Sequence, residues 1–232
     1  MARPTVTTNQ RAYGAAVLDR LAGEPLPSLL KAPAKEFKDQ HALVEKASAA
    51  TEAGRAARDA ALEEIASADS TLDASVELLA NAVVGAGIGR RTQPFASFTR
   101  RKVSELVNLA YATEAKEVRA LCTAIRRAKP EPAVLRAVAA CEKNVQSVER
   151  AITALAKPQA AYAKALASRD ALLPVWTRAL ARLKRHAAVA WEDEPATTRA
   201  IFARPDGVTA PKGKRRKGKP VVGVTNGAPT AP

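Results

Sequence analysis

Apolar residues recur along most of this chain at alternating steps of four and three, the spacing that keeps one stripe of a helix facing a partner. A first long helix is expected over about 34–84. Its seam passes through Phe37, His41, Val44, Ser48, Thr51, Arg55, Arg58, Leu62, Ile65, Asp69, Leu72, Val76, Leu79 and Val83. The second half of that seam is apolar and the first half polar, and Ser67–Thr71 is a place where the helix can break, since Ser and Asp cap helices well. Gly85-Ala-Gly-Ile-Gly89 stops it. A second helix is expected over about 97–128, with Val107, Tyr111, Glu114, Val118, Leu121 and Ile125 on its seam; Lys129-Pro-Glu-Pro132 ends it. A third begins near Ala133 and holds its phase from Val138, Cys141, Val145 and Val148, through Tyr162, to Trp176, Leu180, Leu183 and Ala187. Pro158 and Pro174 fall inside it. Because the seam stays in phase across both, a kinked long helix is expected there, not a break.

Before these lies an arm, residues 1–33. It holds a short helix over Gln10–Ala22, then Pro25, Pro27 and Pro33, which exclude a long helix, and it packs through Leu26, Leu29 and Leu30. The bundle spans 34–202, and residues 203–232, rich in Pro, Gly and Lys and without periodicity, read as a disordered tail. A shift of 108 residues lays Phe37 on Val145, Val44 on Ile152, Ile65 on Leu173 and Leu72 on Leu180, the pattern of an internal duplication.

Composition agrees with helix. Of 232 residues 53 are Ala, the best helix former, while only 4% are aromatic. The expected fold is therefore all-α: an elongated antiparallel bundle or coiled coil of three to five long helices. The second helix is too short to cover the other two, so the arm, a fold-back or another copy of the chain must cover the rest. Two Cys are too few for a disulfide scaffold or a four-Cys zinc site. The N-terminus has no apolar core of a signal peptide, and the longest apolar stretch, Leu78–Gly89, falls short of a membrane span. A cytoplasmic location is expected.

Charge adds candidate chemistry. The chain carries a formal +14, and polyanions are natural partners of such a protein. The tail places Lys212, Lys214, Arg215, Arg216, Lys217 and Lys219 within eight residues, a cluster suited to phosphates. Lys217-Gly-Lys-Pro220 resembles the core of an AT-hook, a minor-groove motif. With lysines in place of its arginines, the resemblance implies charge contact without AT preference. The run also resembles a nuclear localisation signal, should the source be eukaryotic. Arg90, Arg91, Arg100, Arg101 and Lys102 flank the first interhelix turn, and Arg178, Arg182 and Arg185 fall on one face of the third helix. An up-down-up arrangement puts both groups at one basic pole.

Other candidates point to packing. Gly85–Gly89 ends a helix and lacks the Lys-Ser/Thr of a phosphate loop. His41 and His186 stand in no ligand pattern, and Cys122 and Cys141, either side of the second turn, read as small buried side chains. Asp69, Glu114 and Arg169 occupy seam positions, where they set register, pair with each other or mark solvent-exposed stretches of the seam. No two carboxylates are forced together by spacing, so no acid/base pair, metal site, cofactor or small-molecule substrate is expected. These features predict a non-enzymatic structural or scaffold protein acting on itself or on other helical proteins. Nucleic-acid binding through the tail and the basic pole is the alternative.

Overall fold

A computed structural model describes residues 6–205, and the side chains from residue 8. The six tail cations, Lys212, Lys214, Arg215, Arg216, Lys217 and Lys219, lie outside the described residues. The fold is all-α. The helices are α1 (Val6–Ala22), α2 (Ser28–Gly85), α3 (Val103–Leu106), α4 (Tyr111–Arg127), α5 (Pro132–Ala190) and α6 (Pro195–Ile201). The two long ones, 58 and 59 residues, each extend about 87 Å at 1.5 Å per residue.

They run antiparallel over their whole length. Cys141 Sγ donates to the Ser75 carbonyl at 3.0 Å, Trp176 Nε1 donates to His41 Nδ1 at 3.2 Å, and Arg182 bonds Glu36 at 2.9 Å. Between the first and last of these contacts lies a register that never slips.

Neither helix breaks where its sequence offers a break. α2 passes through Ser67–Thr71, with the Thr71 hydroxyl turned back onto the Ser67 carbonyl at 3.0 Å and so satisfied within the helix. It also begins six residues earlier than expected, at Ser28 just after Pro27, and tolerates Pro33 as its sixth residue at the loss of one backbone bond to the Leu29 carbonyl. Leu30 is buried and Leu26 packs on the same core, whereas Leu29 is 45% exposed and takes no part. α5 continues through Pro158 and Pro174.

The second helix differs most. Residues 97–110, expected to be helical, form turns and the short α3, and α4 starts only at Tyr111. From this folded segment Phe95 and Leu106 plunge into the core, with Phe98, Val103, Val107 and Leu109 beside them. The apolar side chains of 95–109 thereby converge on one site. The turn after α2 depends on glycine twice. Gly87 adopts φ +69°, and a Cβ on Gly89 would stand 2.1 Å from the Pro94 carbonyl oxygen.

Two separate cores result. One joins the end of α2 (Leu72, Val76, Leu79, Val83), α4 and the start of α5 (Val134, Val138, Val145, Val148). The other joins α1 (Tyr13, Val17, Leu21), the start of α2 (Leu30, Phe37, Val44), the end of α5 (Trp176, Leu180, Leu183) and Ile201 of α6. Between them is a bare waist. No residue of α2 between Thr51 and Ile65, and none of α5 between Val148 and Trp176, is buried. Seam residues Arg55 and Leu62 face solvent there. The backbones come close together in this waist: a Cβ on Gly54 would lie 3.2 Å from the Tyr162 Cα, and the Arg58 guanidinium sits 4.7 Å above the Tyr162 ring.

The 108-residue periodicity has a structural counterpart. α1 and α4 are 17 residues each, and each leads by a short turn into a long helix. Arg11 bonds Glu45 of α2, and Arg119, 108 residues on, bonds Glu149 of α5, one turn short of Thr153, which the same shift lays on Glu45. Gly54 and Tyr162, themselves 108 apart, face each other, as residues on an approximate two-fold axis must. The chain is two helical hairpins, each using its short helix to cover one end of the joint rod.

Candidate functional site

The antiparallel register decides where the charged groups lie. Arg90, Arg91, Arg100, Arg101 and Lys102 flank the turn after α2, beside the start of α5. Arg178, Arg182 and Arg185 lie near the end of α5, beside the start of α2. The two groups therefore occupy opposite ends of the rod, and the single basic pole expected from sequence does not form. That expectation treated three helices as equal up-down-up neighbours, whereas α4 is a short cover on one end of a two-helix rod. All eight residues are exposed. Arg101 faces Glu117 at 3.8 Å and Arg182 is tied to Glu36, pairs of the solvated kind that contribute little. Arg169, half-buried on the seam, bonds its neighbour Asp170 at 2.6 Å instead of another seam acid.

The seam acids behave otherwise. Asp69 and Asp73 stand one turn apart on α2, and Glu114 projects from the first turn of α4 towards them. Each offers one carboxylate oxygen, and these oxygens all lie within 4.8 Å of one another. This overturns the expectation that no carboxylates come together. Glu114 is 0% exposed. Both its oxygens, and one each from Asp69 and Asp73, are buried with no hydrogen-bond partner outside the cluster. The charged groups that bear on Glu114 are both acidic. Burial, then a carboxyl–carboxylate hydrogen bond with Asp73 and the charges of Asp73 and Asp69, push the Glu114 carboxyl up to about 8, while burial followed by Asp73 raises Asp69 and its hydrogen bond with Glu114 opposes that rise. At this spacing each pair of like charges, if both are ionised, repels by about 3.5 kcal/mol or more at an effective dielectric of ~20. The first turn of α4 favours an anion through its free N–H groups, and Ala110 caps it with no side-chain bond of its own. The seam positions of Asp69 and Glu114 were visible in the sequence. Their meeting was only one of the options those positions left open, because it depends on where α4 begins and how it docks.

At the other end His41 is buried, with Phe37 stacked on it and Trp176 tilted against both rings. Since its Nδ1 accepts from Trp176, the ring is held neutral. Burial lowers its pKa, with Glu45 opposing and Arg11 assisting. This is a core histidine on the seam of α2. Cys122 and Cys141 are free and buried, as expected. The hydrogen bond between them, then burial, holds the Cys122 thiol far above its ordinary value, which keeps it from acting as a nucleophile.

The best-formed concavities among the described residues are shallow and open to solvent. One lies between Arg20, Glu24, Ala200 and Ile201, the other along Gln146, Glu149, Arg150 and Thr153 of α5. Neither includes the carboxylate cluster or His41. No helix among the described residues is long and apolar enough to cross a membrane. The chain matches no protein-family model, and no curated protein or solved structure is significantly similar to it.

Proposed function

We propose that this protein is a non-enzymatic structural or scaffold rod, working in the cytoplasm through self-association or contact with other helical proteins. The observation that carries this reading is the waist: two long helices held together where neither buries a residue, between two ends that are each covered by a third helix. Ala-rich faces, with Leu62 at 42% exposure, are what a partner helix needs to approach closely. The concavities are too open to enclose a substrate. Sedimentation over a hundredfold concentration range tests self-association. A mass that rises with concentration, and returns to the monomer value in Leu62→Glu, supports it. A fixed monomer mass leaves only partners of other sequence, to be sought by cross-linking from a cysteine introduced at position 62.

A second reading, nucleic-acid binding, rests on the six cations within Lys212–Lys219. The full chain and one ending at Pro205, which keeps the Arg20 bond to the Ala203 carbonyl, are to be titrated into duplex DNA at low and physiological salt. Affinity that falls steeply with salt and vanishes with the tail supports this reading. Equal, weak binding by both chains removes it.

A further inference from the structure

We propose that Asp69, Asp73 and Glu114 form a binding site for one hard divalent cation (Mg2+, Mn2+ or Ca2+) that fastens α4 to α2. Three carboxylates from two helices converge so that one oxygen of each lies within 4.8 Å of the others. Glu114 supplies the independent observation. It is fully buried, points into the cluster, and finds no hydrogen-bond donor outside the two aspartates. The protein provides no counter-charge, since the charged groups acting on Glu114 are the two aspartates alone. Buried carboxylates so placed are neutralised by protons or by a cation. The donor set selects among cations: three oxygens, with no nitrogen or sulfur, suit hard ions and not zinc or copper. Asp69 and Asp73 are only half-buried, which leaves a path for the ion and room for the water molecules that complete its coordination. Binding here joins the first turn of α4 to α2 at the border of the waist.

The test uses the full chain, freed of metal with EDTA and then titrated with Mn2+ near pH 8, followed by the spin resonance of free Mn2+ and by thermal melting. One Mn2+ per chain is expected, displaced by Mg2+ or Ca2+, with a rise in Tm on loading. Glu114→Gln should weaken binding at least tenfold while keeping the helical circular dichroism, since it removes a buried charge at constant shape. Asp73→Asn, at a half-buried position, should weaken it as well, and serves alone if Glu114→Gln fails to fold. A wild-type chain that takes up no Mn2+ at millimolar concentration and melts alike with and without EDTA overturns the proposal and leaves protons as the neutralising agent. Binding undiminished in the folded variants overturns it too.

Discussion

Glycine at position 54 lets the two long helices touch. A Cβ there meets the backbone of Tyr162 at 3.2 Å, and backbone yields less readily than a side-chain tip. Gly54→Ala trades a helix-propensity gain of up to about 1 kcal/mol against a shift of a few tenths of an ångström, so urea melts should show little net change. Gly54→Leu forces the helices apart and should cost about 1–3 kcal/mol. Ionisation acts at the same scale, with opposite signs at the two ends. Glu114 has a folded pKa near 8 against an ordinary 4.5, so the folded state holds the proton longer than the unfolded one. Its contribution is complete below about pH 4.5 and fades as pH rises through 8. In EDTA, stability should fall across that window, and Glu114→Gln should flatten the decline. His41 is shifted down, so its contribution is present above its ordinary value of 6.5 and is lost as pH falls through its depressed folded value. Acid titration should therefore loosen the contacts of Trp176 first, read as a change in its fluorescence.

The elements were legible to different degrees. α5 was read nearly end to end, because Val138, Val145, Trp176 and Leu183 keep one phase over 59 residues and two prolines do not shift it. Its proline at 174 is exposed, so the lost backbone bond has no packing to offset it. Pro174→Ala should raise the stability of α5 by about 1–3 kcal/mol in denaturant melts. The α4 boundary was misread because residues 97–110 carry the same apolar content as a helix, and only tertiary packing around Phe95 and Leu106 decides that they turn. The carboxylate cluster was hidden for the same reason. Asp69 and Asp73 share a face by spacing alone, but the third member arrives through a docking that no periodicity records.

At the scale of the whole molecule the waist separates two cores that share helices but no buried side chain. Burial is what makes unfolding cooperative, so the ends should melt as distinct units. Calorimetry should resolve two transitions. Phe37→Ala, a cost of about 3–5 kcal/mol in the α1/α6 end, should lower one of them, and Phe95→Ala the other. Amide exchange should be fastest between residues 52 and 64 and around Tyr162. A single transition moved equally by both variants would mean that α2 and α5 couple the ends through their backbones alone.

The approximate two-fold through Gly54 and Tyr162 has one more consequence. Each hairpin presents a long helix whose facing surface lies in the other hairpin, the relation found between the subunits of a symmetric pair. The stretch from 86 to 110 joins the two hairpins in one polypeptide and also lends Phe95 and Leu106 to the core of one end, so it does more than spare the halves from finding each other in solution. Cutting that stretch would turn an intramolecular fit into a concentration-dependent one, with a matching pair of half-chains as its natural products.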